Sequence, residues 1–191
     1  MTAASGLVHE EFHGRDFARR GGMFEMVQLW VNLPAKDKMV APRYQGILNR
    51  QIPAVNLPDD HGTVRVIAGE FAGASGPAKT FTPMHLWDLR FARDQRTDLA
   101  VPDGWTTALV VLKGVLRVND SEPIGEAEVG LFDRAGTSMC IDSAKGVTAL
   151  LLSGEPIEEP IVGSGPFVMN SPLEIRQAIA DCQSGKMGHL P

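Results

Sequence analysis

Histidines and carboxylates gather close to the first residue, in Gly6-Leu7-Val8-His9-Glu10-Glu11-Phe12-His13. From His9 to His13 the order is H-E-x-x-H, which in a zinc protease sets two imidazoles one helical turn apart with the Glu as general base. That chemistry needs a helix through residues 5–17. Ser5-Gly6 ahead of the pattern, Gly14 directly behind it and the lack of apolar periodicity give no support for one, and His61, His85 and His189 stand at no third-ligand spacing. If residues 7–12 are extended instead, side chains alternate, so His9 and Glu11 share one face and Glu10 takes the other. A His and a carboxylate two apart on the inner face of a barrel make half of a mixed N/O site for Fe(II) or a similar divalent ion. The plainer alternative is a polar pair on an N-terminal strand. Two ligands by themselves hold a metal poorly.

Other candidates carry less chemistry. His85 falls on the strand face of Trp87, Leu89 and Phe91 and reads as a core or rim histidine. His61, between Asp60 and Gly62, reads as a turn residue. Glu155, Glu158 and Glu159, interleaved with Pro156 and Pro160, read as a solvated loop rather than an acid–base pair. Cys140 and Cys182 fit neither a disulfide framework nor a zinc ribbon and are expected as buried, reduced thiols. Phosphate-binding, nucleophile-elbow and dinucleotide glycine patterns are absent from the sequence.

The elements that must position these residues fall into successive regions. Residues 1–33 end in a strand in which Val27, Leu29, Val31 and Leu33 alternate with other side chains. Residues 34–60 hold Pro34, Pro42, Pro53 and Pro58 and read as an extended connector over the surface. Short runs from 63 to 153, each closed by turn residues and with no helix between them, predict an antiparallel sandwich or barrel; we take 61–155 as one β-domain. The tail, 156–191, carries Ser171-Pro172-Leu173-Glu174, a capping Ser with Pro at the first helical position, and predicts a helix over about 172–184 ending at Gly185. With 43% apolar and 21% charged residues among 191, the chain can build a core. A net charge of -5 with scattered basic residues argues against direct nucleic-acid binding. No secretory pattern opens the sequence, and Ala108–Leu112 and Ala149–Leu152 are too short to span a bilayer, so a soluble, cytoplasmic protein is expected.

Longer blocks give a resemblance. Gln28-Leu29-Trp30-Val31-Asn32-Leu33-Pro34-Ala35-Lys36-Asp37-Lys38-Met39, continued by Ala41-Pro42-Arg43-Tyr44-Gln45, closely resembles the pirin family. Leu152-Ser153-Gly154-Glu155-Pro156-Ile157 with Glu159-Pro160-Ile161, and Gly165-Pro166-Phe167-Val168-Met169-Asn170 running into the capped helix, are similar to it as well. The resemblance implies an all-β bicupin, two small jelly-roll barrels in one chain, here with an incomplete N-terminal barrel (1–33) and a short C-terminal helix. It also implies a non-haem iron held in the N-terminal barrel by three His and one Glu, from an H-x-H segment and a later G-x-x-H-x-E segment. Gly6, His9 and Glu11 match the later segment, and no H-x-H occurs in the sequence. On this reading Met1 corresponds to an internal methionine of a longer ancestral protein, or to the start of a truncated product, and half the metal shell is missing. Val101-Pro102-Asp103-Gly104-Trp105 ahead of Val110–Gly114 resembles the first cupin motif with its metal His replaced, implying a metal-free second barrel.

Two functions follow as expectations of the resemblance. One is quercetin 2,3-dioxygenase activity on a small aromatic, flavonol-like substrate, with Fe(II) or another divalent metal as cofactor. The other is a non-catalytic, iron- or redox-dependent co-regulator that binds a protein partner. With His9 and Glu11 as the only matched ligands, weak iron binding and little oxygenase activity are expected. Unpaired strand edges in 1–33 would also favour self-association, in which two chains pool His9 and Glu11.

Overall fold

Burial with a period of two runs through the middle of the chain. Gly62–Ala68 alternates buried and half-buried along its whole length, and Thr107, Leu109 and Val111 are buried between more exposed neighbours. A strand with one face in a core produces this pattern. In the computed structural model, which describes residues 1–190, eleven strands lie between residues 54 and 154: β1 (Ala54–Asn56), β2 (Gly62–Ala68), β3 (Glu70–Phe71), β4 (Ala74–Ser75), β5 (Met84–Phe91), β6 (Gln95–Ala100), β7 (Thr106–Lys113), β8 (Leu116–Val118), β9 (Val129–Phe132), β10 (Ser138–Ser143) and β11 (Thr148–Gly154). They belong to one compact unit, Gln45–Pro156.

Within this unit a six-stranded sheet, ordered β1-β2-β5-β11-β7-β9, accompanies a three-stranded sheet ordered β6-β10-β8. Every pairing is antiparallel. One hydrophobic core joins Val64, Val66, Trp87, Leu89, Leu109, Val111 and Leu151 of the first sheet to Leu99, Leu116, Val118, Met139 and Ile141 of the second. This is a double-sheet jelly roll, as the strand punctuation implied. Two departures have physical causes. Residues 54–56, expected in the unpaired connector, form an edge strand on β2, and Leu57 is buried in the core. Prolines are tolerated there because an edge strand needs hydrogen bonds on one side only; the Val66 N–H still reaches the Pro53 carbonyl at 2.9 Å. β6 was missed in the sequence, since Arg96 and Asp98 mask the alternating Thr97 and Leu99 that turn inward.

The second unit comprises Met1–Tyr44 and Ile157–Pro191. It contains a six-residue helix, α1 (Arg15–Arg20), a hairpin of β12 (Val162–Ser164) with β13 (Phe167–Met169), and α2 (Pro172–Gln183). The strands expected at 7–12 and 27–33 are not formed. A strand exists only where a neighbour takes its N–H and C=O groups. Among the described residues, no ladder partner runs beside either segment, and the isolated bridge Thr2↔Arg43 is the only β-pairing before residue 54.

The tail helix follows the sequence expectation. The Ser171 hydroxyl accepts from the Glu174 N–H at 3.3 Å and donates to Glu174 Oε2 at 2.9 Å, and Gly185 takes a left-handed φ of 78° just past the end. Around the helix start sits a part-buried polar clip. The Lys38 ammonium donates to Asn32 Oδ1 at 2.6 Å and to the Val168 carbonyl at 3.3 Å, while Glu159 accepts from the Ala35 N–H at 2.7 Å and from Asn170 Nδ2 at 3.1 Å. Burial lowers the Lys38 pKa, with Glu159 and Glu174 acting against the shift. Glu159 is therefore a half-buried structural acceptor and not a solvated loop residue.

Candidate functional site

His9 and Glu11 both lie in a segment without helix or strand, and both side chains are exposed. With no strand through 7–12, alternation no longer places them on one face. What anchors the segment is upstream of them. The Val8 N–H donates to the Met187 carbonyl at 3.0 Å, and Gly6, with φ at 107°, leaves space that a Cβ would take from Met187 Sδ at 2.5 Å. His13, the far histidine of H-E-x-x-H, is not in a helix either. Its ring packs on Phe17 and Phe24, at centroid distances of 5.7 and 4.8 Å. Among the described residues, no three His, Cys, Asp or Glu side chains converge as a metal site would require. Among the described residues, His9 and Glu11 thus offer a divalent ion two donors of suitable chemistry, and no third side chain joins them.

The other sequence candidates sit in the sandwich. His61 closes a 3-10 turn, as expected, but its side chain is 1% exposed. Nδ1 pairs with the Thr97 hydroxyl, Nε2 lies 3.3 Å from Ser143 Oγ, and the ring packs on Phe91 at 5.3 Å. Burial lowers its pKa, and a backbone hydrogen bond at Arg93 works the other way. A turn pattern in the sequence says nothing of a ring folded beneath the turn, so this role was not legible.

His85 is the rim histidine the strand face implied. Its ring stacks on Trp87 at 4.8 Å and lies 5.1 Å from Trp105, and Nδ1 accepts from the Glu70 N–H at 3.3 Å. Burial lowers its pKa, with the Glu70 charge opposing. Gly69, φ 74°, makes room for it, since a Cβ there would fall 2.2 Å from His85 Nδ1. Of the two thiols expected as buried, Cys140 is half-buried and takes a hydrogen bond from Arg96 Nε at 2.7 Å, whereas Cys182 is exposed.

A cleft of about 360 Å³ opens in the same unit, between the start of β7, β9 with its following loop, and β10. Trp105, Phe132 and Met139 supply apolar wall, and Thr107, Asp133 and Arg134 supply polar groups. Its two loop walls are tied together. The Gly104 N–H donates to the Arg134 carbonyl at 2.8 Å, the Gly136 N–H to Asp103 Oδ1 at 2.8 Å, and the Val101 N–H to the Thr137 carbonyl at 3.0 Å.

Among the described residues, no helix is long and apolar enough to cross a membrane. Residues 86–188 match the family model of the Pirin C-terminal cupin domain. A candidate quercetin 2,3-dioxygenase of Pseudomonas aeruginosa is 50% identical over 97% of this chain and 65% of its own length. Pirin of Homo sapiens is 33% identical over 98% of this chain and 64% of its own length. The crystal structure of a quercetin 2,3-dioxygenase from Acinetobacter baumannii superposes with a TM-score of 0.95 at 44% identity, covering 99% of this chain and 66% of that one. The chain thus spans just under two thirds of the length of these relatives.

Proposed function

The chain belongs to the pirin family, and from that premise we propose that it is a cupin of quercetin 2,3-dioxygenase type whose His9 and Glu11 are two ligands of an iron site to which no third donor converges among the described residues. The observation that carries this reading is the G-x-x-H-x-E order of Gly6, His9 and Glu11 together with their exposure: both donors are accessible and neither is tied into the fold. Such a pair gives a divalent ion two of the ligands it needs, and imidazole with carboxylate suits Fe(II). The bound iron would supply the site at which a flavonol and O2 are activated. Held by two ligands it exchanges readily, so a polypeptide of these residues turns over flavonols slowly. Oxygen uptake with quercetin tests the reading. With excess Fe(II), a slow rate that falls to background in His9→Ala is expected. Fast turnover without added metal, or a rate indifferent to His9→Ala, would contradict it.

A second reading has its own observation. Phe12, Met23, Met26, Trp30 and Val31 are between 60 and 85% exposed, an apolar run of the kind a binding partner covers. On this reading the chain acts as a non-catalytic binding module, an iron- or redox-dependent co-regulator of a protein partner, or associates with a second copy that adds another His9 and Glu11. Light scattering across concentration separates these: a monomer at every concentration excludes self-association.

A further inference from the structure

The short hairpin of β3 and β4 rests on β5 through an apolar contact and a polar one, both inside Gln45–Pro156 and so independent of the iron reading. Phe71 packs edge-on against Trp87 at 5.0 Å, and the Glu70 N–H donates to His85 Nδ1 at 3.3 Å. Gly69 lets the backbone come this close, because a Cβ at its left-handed φ would collide with the His85 ring. A neutral imidazole has one acceptor nitrogen and one donor. Accepting at Nδ1 therefore keeps the ring proton on Nε2. A second proton would enter at Nδ1 and face the Glu70 N–H, donor against donor. The polar contact exists only while His85 is neutral.

Each element around the ring limits what can replace that contact. From β3, Glu70 is the charged group whose field reaches His85, and its exposed carboxylate accepts from the Ser75 hydroxyl of β4 at 3.2 Å. The carboxylate can take a new Nδ1–H only if it leaves Ser75 and its own N–H withdraws, so the hairpin must shift. Ser153, the cross-strand neighbour on β11, has its hydroxyl paired with Thr107 at 2.9 Å. Along β5 and from the loop ahead of β7 the ring meets indoles, Trp87 at 4.8 Å and Trp105 at 5.1 Å. Trp105 also lines the cleft, so a movement of the imidazole reaches the cleft wall. We propose that His85 is a proton-operated latch: neutral, it fastens the β3–β4 hairpin to β5; protonated, it releases the Glu70 N–H and displaces the Trp105 wall. Burial outweighs the Glu70 charge at this ring, which puts the release below the ordinary imidazole value of 6.5.

Nuclear magnetic resonance of the isotope-labelled full chain reads each part. At pH 7.5 the His85 ring should be in the Nε2–H form. As its own ring signals titrate, the protection factor of the residue 70 amide should fall about tenfold or more, while the amides of Leu109 and Leu151 in the core keep theirs. The Trp105 indole N–H should move with the same midpoint. In His85→Gln, whose side-chain oxygen can accept the same N–H without titrating, residue 70 should stay protected throughout. In His85→Phe, which keeps a ring against the indoles but has no acceptor, it should be unprotected throughout. Glu70→Gln should retain the step at a lower midpoint, since the favourable charge is gone. The proposal is overturned by an Nδ1–H form at pH 7.5, or by a residue 70 amide whose protection does not follow the His85 titration. A step that survives in His85→Gln or vanishes in Glu70→Gln, a Trp105 signal that stays still, or loss of Leu109 and Leu151 protection at the same midpoint would overturn it equally.

Discussion

Replacing His61 by Gln should flatten the acid limb of the stability curve, and the size of the effect follows from where the ring sits. The side chain is 1% exposed, between the Thr97 and Ser143 hydroxyls and against Phe91. Hydroxyls can accept from either ring nitrogen, so the hydrogen bonds tolerate an imidazolium; lost hydration is what opposes the charge. The folded-state pKa therefore lies below the ordinary value of 6.5. Above that value His61 is neutral in both states and stability does not depend on its titration. As pH falls below it, the unfolded chain binds the proton first, so the protein loses up to about 1.4 kcal/mol per pH unit from this residue, until the folded state also protonates. At pH 7.5 His61→Gln should cost about 2 kcal/mol, through weakened hydrogen bonds and lost contact with Phe91. At pH 5.5 that gap should narrow by about 1 kcal/mol, since the variant has no proton to bind. Urea unfolding followed by tryptophan emission reads both values, with Trp87 and Trp105 reporting on the unit that contains His61. Wild-type and variant curves that stay parallel from pH 7.5 to 5.5 would refute the reasoning. His85, also lowered by burial, adds the same sign of pH dependence to both proteins and does not disturb the comparison.

Other perturbations test the sandwich and the tail. Asp88→Ala removes a carboxylate that accepts from Arg65 at 2.5 Å and Arg90 at 2.9 Å, with the Arg65 side chain 16% exposed, and should cost about 3 kcal/mol by urea midpoint; a loss under about 1 kcal/mol would mean water compensates the pair. Gly69→Ala places a Cβ at a left-handed φ and 2.2 Å from His85 Nδ1, so about 2 kcal/mol and an altered tryptophan emission spectrum are expected; unchanged stability would show the approach to be relaxed. Ser171→Ala should cost about 1 kcal/mol and raise amide exchange in the first turn of α2, whereas Ser171→Thr should retain most of the cap.

How much of this was legible in the sequence depended on whether the signal was local. The ends of β5 are where the alternating Met84–Phe91 run placed them, and α2 begins at Pro172 because the Ser171 hydroxyl caps the Glu174 N–H within one turn. Pattern failed where a distant partner decides. Val27, Leu29, Val31 and Leu33 alternate as a strand should, yet among the described residues nothing pairs with them and they form none. β6 erred the other way, its two charges hiding a strand that β10 completes. For the site, spacing singled out His9 and Glu11 and correctly set aside the protease helix, but spacing could not tell that the segment is unpaired. The cleft was not assigned because its walls come from separate stretches, 101–107 and 131–139, joined by backbone hydrogen bonds.

The most direct test of the proposed half-site is the iron that a purified chain keeps after anaerobic loading with Fe(II) and desalting. His9 and Glu11, exposed and without a third donor among the described residues, should retain well under one iron per chain. One iron per chain that survives desalting and disappears in His9→Ala would contradict the account.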